Sequence, residues 1–219
     1  MRTKRSLKQK TLVDKLIQLK KTFAKKFLRL FSCLTALFTF GMMFASFDKL
    51  KSQNLAKHQY VHLDREFSGL EQVIIKNAFE KWSLHTENFV TWEYTVGWPD
   101  NVWDDENPIW PENEMKSHVI VIRGLSDDEM VKDVEERLGH QVWGYAVRSH
   151  NPGVPNYFLL VVDKIHNEDH LQLTAEHEIG HILGLDHTEE LLSIMNTNRF
   201  LEAGGITPYD ILSFQRLYQ

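Results

Sequence analysis

The stretch Thr174–His187, T-A-E-H-E-I-G-H-I-L-G-L-D-H, constrains this chain more than any other. His177, Glu178, His181, Gly184 and His187 stand in the spacing H-E-x-x-H-x-x-G-x-x-H. On a helix, residues four apart share a face, so His177 and His181 can aim their imidazoles at one point. Two neutral imidazoles on one face suit zinc. Glu178 follows the first histidine directly, so its carboxylate can lie beside a metal and take a proton from a water bound there without acting as a ligand. Gly184 falls three residues after His181, where positive φ can end the helix and turn the chain sharply back. That turn brings His187 round as a third ligand and leaves the fourth zinc position open to water, as in catalytic sites. Given the chain's usage of 11 His and 11 Gly in 219 residues, the five positions would coincide by chance in roughly one such sequence in ten thousand. Ile179, Ile182, Leu183 and Leu185 add the apolar flanks of a helix buried in a core.

Six residues after His187 begins Ser193-Ile194-Met195-Asn196, with Met195 eight residues after it. Together with the extended histidine motif, this resembles the metzincin zinc metalloproteases with their Met-turn, and within them the matrixins. The run Thr207–Tyr218 is similar to the closing helix of matrixin catalytic domains, and the resemblance covers about residues 58–219. It implies an α/β (α+β) metzincin-like fold: a mixed twisted sheet, an active-site helix, a Met-turn and a C-terminal helix. It also implies that Met195 lies beneath the metal as an apolar base and is not a ligand. Astacin-like and serralysin-like relatives carry a tyrosine two residues after the methionine. Here that position is Thr197, so no oxyanion-stabilising tyrosine is expected from this turn.

Charge divides the chain. Residues 1–47 hold eleven of the 25 Lys and Arg but only one of the 30 acidic residues, Asp14. Leu30 to Phe47 are eighteen consecutive uncharged residues, just long enough to span a bilayer. The sequence therefore predicts a basic cytoplasmic leader (1–29), a transmembrane anchor or uncleaved signal (30–47), a linker (48–57) and the catalytic domain (58–219). The positive-inside rule places the C-terminal domain outside a single-pass cell membrane, the alternative being secretion after signal cleavage. The leader reads either as a solvated basic tail that orients insertion or as an amphipathic helix against anionic lipid. No aromatic residue interleaves with the positive charges before Phe23, which argues against nucleic acid as a partner. The single cysteine, Cys33, falls in the apolar run, so the domain has no intrachain disulfide and lacks the prodomain thiol that keeps many matrixins latent.

Within the domain, Tyr60–Leu63 reads as a strand, Ser68 with Glu71 as a capping box, and Leu70, Val73, Ile74, Ala78, Phe79 and Trp82 as the apolar face of the following helix. Strand patterns follow at Phe89–Val96, Val119–Ile122, Val142–Val147 and Tyr157–Val162, with a short acidic helix at Asp127–Leu138. The Trp98–Glu114 insert is rich in Trp, Pro and acid, either a solvated loop or an oxygen-rich site for calcium. His150, Asp163, His166 and His170 lie where matrixins carry a structural zinc, but without the family's ligand spacing, and His166 and His170 are expected in the loop entering the active-site helix. His85, His118 and His140 are expected at the surface or at helix ends.

These readings predict one catalytic zinc on His177, His181 and His187, with Glu178 as general base for a zinc-bound water attacking a peptide bond. A peptide or protein substrate would lie extended along a sheet edge, with Trp143–Arg148, and Trp143, Gly144, Tyr145 and Ala146 in particular, as the pairing strand by analogy. Asn196–Ile206 is expected to shape the pocket beside the scissile bond. The alternatives are a membrane-anchored zinc-binding protein that recognises peptides without turnover, and a membrane-anchored adaptor that holds no metal.

Overall fold

The structure is a computed structural model that describes residues 57–98, 114, 117–149, 154–198 and 200–218. All of these lie in one unit, Asn54–Gln219. The leader, the apolar segment 30–47, the linker up to residue 56 and most of the acidic insert fall outside the described residues, and the membrane and calcium expectations fall there with them. Among the described residues no helix is long and apolar enough to cross a membrane.

Five strands, β1 (His58–Leu63), β2 (Thr91–Val96), β3 (His118–Gly124), β4 (Gly144–Val147) and β5 (Asn156–Val161), form one mixed sheet in the order β2-β1-β3-β5-β4. The first four in that order run parallel, while β4 is antiparallel to β5 and forms an edge. Among the described residues there are four α-helices, α1 (Gly69–His85), α2 (Glu129–Leu138), α3 (Glu168–Ile182) and α4 (Pro208–Tyr218). β3 and β5 are almost continuously apolar because both of their faces are covered. Val119, Val121, Phe158 and Leu160 point into the larger core with α1 and α3, whereas Ile120, Ile122, Leu159 and Val161 meet Val131 and Val134 of α2.

The capping box forms as the sequence indicates: the Glu71 N–H donates to Ser68 Oγ at 3.2 Å, and the Ser68 N–H to Glu71 Oε2 at 2.6 Å. Ile74, Ile75, Ala78, Phe79 and Trp82 are the buried face of α1. Leu70 and Val73 were expected on that face but are exposed, because the stripe that meets α3 and the sheet lies a fraction of a turn away. α1 and α3 are joined by polar bonds as well as packing. Trp82 Nε1 donates to the Glu176 carbonyl at 2.9 Å, and the buried Glu176 carboxylate receives Lys81 Nζ at 2.6 Å and Gln172 Nε2 at 2.9 Å. A carboxylate with no exposure needs such donors to offset its desolvation.

His118 is not at the surface. It is buried on β3 facing His62 of β1, with His62 Nε2 and His118 Nδ1 2.8 Å apart and Thr95 Oγ1 2.7 Å from His62 Nδ1. Burial is the main cause that drives His118 down to about 4, with His62 adding to it, and burial also lowers His62. Both pKa values lie below the unfolded value, so between about pH 6.5 and 4 the unfolded chain binds more protons and stability falls as pH falls. The stability advantage of the wild type over His118→Gln should therefore shrink as the pH is lowered through that window. Urea midpoints measured at several pH values check this, and parallel curves for the two proteins would contradict it.

Candidate active site

Asn167 caps α3 by accepting from the His170 N–H at 2.8 Å. The helix then carries His177, Glu178 and His181 into the interior below the edge strand. His166 lies in the preceding loop as expected, but His170 is already in the first turn of the helix. The helix ends in a Schellman motif: Gly184, at φ +91°, donates its N–H to the His181 carbonyl at 2.9 Å, and Leu185 donates to the Gly180 carbonyl at 2.9 Å. This turn delivers His187 to the other two histidines.

The three imidazoles converge through their Nε2 atoms, which are 3.2 Å apart for His177 and His181, 3.3 Å for His177 and His187, and 3.0 Å for His181 and His187. The other nitrogens of the two helical histidines fix their tautomers. His177 Nδ1 donates to the Ile194 carbonyl at 2.6 Å, and His181 Nδ1 to the Leu185 carbonyl at 2.9 Å. In a neutral ring whose proton is on Nδ1, Nε2 presents a lone pair. The rings are neutral: burial first, then the neighbouring histidine, lowers His177 to about 3 and His181 to about 4, and burial lowers His187 as well. The facing Nε2 lone pairs of His177 and His181 lack the proton that would make theirs a hydrogen bond, and a cation between them would answer that repulsion. Among the described residues these three are the group of His, Cys, Asp or Glu that could hold a metal ion.

The methionine turn supports the site from below. Met195 is buried against the helix at Gly180, where a Cβ would collide with the Met195 sulfur. Besides orienting His177 through Ile194, the turn holds the third-ligand loop, with the Thr188 N–H donating to the Met195 carbonyl at 3.1 Å. Asp210, buried in the first turn of α4, fixes the turn in place. Its carboxylate accepts from the Ser193 hydroxyl, from the Ile194 N–H at 3.2 Å, and from the Thr207 N–H and hydroxyl at 2.8 and 2.6 Å.

Glu178 is buried against β4. A Cβ at position 144 would collide with Glu178 Oε1, so only glycine lets the strand backbone lie over this carboxyl. Burial pushes Glu178 up to about 8, opposed by a hydrogen bond from the Ala146 backbone. Gly144 and Ala146 are thus the residues of the expected strand that meet Glu178, while Tyr145 packs against the cluster of Ile120, Leu159 and α2. Trp143 lies one residue before β4 and still accepts from the Val161 N–H at 2.9 Å. Its ring meets Phe200 at 5.8 Å, and Phe200 in turn lies 5.1 Å from the His177 ring, placing the expected 196–206 segment beside the histidines.

The matrixin family model matches residues 63–219. The chain belongs to the matrixin family. Matrixins are zinc metallopeptidases, and the donor set of this matrixin fits zinc: nitrogens about 2.0–2.1 Å from a tetrahedral zinc stand roughly 3.3 Å from one another, close to the 3.0–3.3 Å seen here. No curated protein matches the chain. Among solved structures it is similar to the archaemetzincin of Methanopyrus kandleri, at 13% identity and a TM-score of 0.44, over 75% of this chain and 98% of that one.

A second metal cluster upstream of α3 does not form among the described residues: Asp163 is tied to Ser126 through its hydroxyl at 2.5 Å and its N–H at 2.9 Å, and His150 lies outside the described residues. The sequence points to Gly144 only as part of the pairing strand, and singles out neither Asp210 nor Phe200. For Asp210 a signal existed, since Thr207 and Asp210 stand in the spacing of a helix-capping pair. The space at Gly144 should be decisive for turnover. Gly144→Ala should retain zinc, because no ligand is touched, yet lose about 10²-fold in peptide hydrolysis through displacement of Glu178. Zinc stoichiometry and hydrolysis rate on one preparation check this, and a wild-type rate would contradict it.

Proposed function

We propose that this matrixin is an endopeptidase in which His177, His181 and His187 hold one zinc and Glu178 is the general base. The observation that carries the reading is the buried Glu178 carboxyl beside a convergent three-imidazole site that is closed at His177 and exposed at His187. Zinc, when bound there, would acidify a water and polarise the scissile carbonyl.

The protein's own groups supply the remainder. Burial raises the Glu178 carboxyl out of the ordinary carboxylate range and so brings it closer to the proton affinities of a metal-bound water and of the leaving amine, between which it would carry the proton. Its position is fixed by the absence of a side chain at Gly144. Among the described residues β4 pairs with β5 alone, which leaves its other edge for an extended peptide that would add as a further strand. Trp143 and Phe200, in edge contact beside His177, stand where they would meet a substrate side chain next to the scissile bond. From the charge split of residues 1–47 alone, we also propose that the domain works outside the membrane. External protease should then remove a C-terminal tag from intact cells, and a protected tag with no domain released to the medium overturns the topology.

Glu178→Ala should separate binding from catalysis. The three ligands are untouched, so zinc should remain at one equivalent while hydrolysis of a peptide library falls about 10²-fold to 10⁴-fold. Zinc content and rate are measured on the same protein. A variant that keeps both its zinc and the wild-type rate contradicts the general-base assignment, and a wild type that holds zinc without cleaving any peptide supports the non-hydrolysing alternative.

A further inference from the structure

The turn at Leu183–Gly184 has two tasks at the metal site. Two residues beyond Leu183, the Leu185 carbonyl orients His181, and four residues beyond it comes His187, an exposed ligand with no helix beneath it. The direction in which the chain leaves α3 therefore sets both the rotation of the second ligand and the reach of the third.

Two side chains from distant parts of the sequence rest directly on this turn. A Cβ at Gly184 would collide with Nη1 of Arg148 and would lie 3.0 Å from the Tyr218 hydroxyl and 3.4 Å from Arg148 Cζ. Gly184 thus meets two requirements, the positive φ of the Schellman turn and the space for this pair. The Tyr218 hydroxyl donates its one proton to the Leu183 carbonyl at 2.7 Å, which leaves its lone pairs available to the guanidinium of Arg148, which crowds the same Gly184 position. The phenol is held in turn by its ring, packed 4.9 Å from Phe214 and 6.0 Å from Phe89. Arg148 is the first residue after β4, the strand that covers Glu178. The end of the edge strand, the last turn of α4 and the exit of the active-site helix thus meet at Gly184.

We propose that Arg148 and Tyr218 form a clamp on the Leu183–Gly184 turn that sets the position of His187 and ties the metal site to the edge strand. The clamp rests on the reading of the three histidines as a zinc site. Both are positioning residues that touch neither metal nor substrate. A contribution to stability alone would not alter how the protein holds its metal, whereas a clamp on the ligand turn must, because support of this kind around ligands is commonly worth 10-fold to 100-fold in metal affinity.

The test uses the full chain loaded with one zinc, mixed with excess chelator in the presence of a zinc-sensitive dye, alongside thermal unfolding of the metal-free proteins. Tyr218→Phe keeps the ring packing and removes only the hydroxyl. It should release zinc about 10-fold to 100-fold faster than wild type while its thermal midpoint stays close to that of the wild type. Arg148→Ala should accelerate release similarly, and Arg148→Lys should restore it only in part, because a point charge does not replace the planar fork. The double variant Arg148→Ala/Tyr218→Phe should release zinc no faster than the faster single variant, as expected of two groups acting as a unit. Unchanged release from folded Tyr218→Phe and Arg148→Ala, or acceleration that simply adds in the double variant, overturns the clamp and leaves the zinc reading standing. A wild-type chain that retains no zinc overturns both.

Discussion

His177 and His181 turn unprotonated Nε2 atoms towards each other at 3.2 Å, with His187 Nε2 within 3.3 Å of both, an arrangement of nitrogens that a cation at the centre would satisfy. Much of the remaining architecture holds that arrangement in place. Two backbone carbonyls, of Ile194 and Leu185, decide which ring nitrogen carries the proton. Each of these carbonyls belongs to a turn that is itself braced: Ile194 by the Asp210 carboxylate at the start of α4, Leu185 by the Schellman closure and the side chains resting on Gly184. Helix α4 thus supports both turns while contributing no ligand. This is the general pattern in which partners around metal ligands set tautomer and orientation.

A second constraint concerns close approach. Gly144 lets β4 lie on Glu178, and Gly180 lets Met195 lie on the helix between His177 and His181. In both cases the missing methyl group decides how near a functional group comes to backbone. Burial of Glu178 under the strand raises its pKa and removes it from bulk water in the same step. The edge strand therefore has two roles in the proposed chemistry, covering the base from above and offering its outer edge to a peptide.

The features of the sequence that reflect local periodicity survive in the structure with little change. The spacing of His177, His181, Gly184 and His187 fixes helix, turn and the return of His187 to the other two histidines because each depends only on neighbours within a few residues. The capping box at Ser68 and the strands at β3 and β5 are legible for the same reason. What the sequence did not show depends on contacts between distant segments. His118 gave no sign of burial because its partner His62 is 56 residues away across a parallel strand pair. Leu70 and Val73 fit a helical stripe as well as Ile75 and Phe79 do, and only the position of α3 decides which face is covered. Gly144 looked like one more residue of a strand until the Glu178 carboxyl was placed against it.

The central claim, that His177, His181 and His187 together ligate one zinc, is tested most directly by X-ray absorption at the zinc edge on the purified full chain. The account predicts one zinc per chain with three imidazole nitrogens at about 2.0–2.1 Å and one further light-atom ligand. In His187→Ala the number of imidazole ligands should fall. A chain that purifies without zinc, or whose zinc keeps all three imidazole ligands when His187 is replaced, would contradict it.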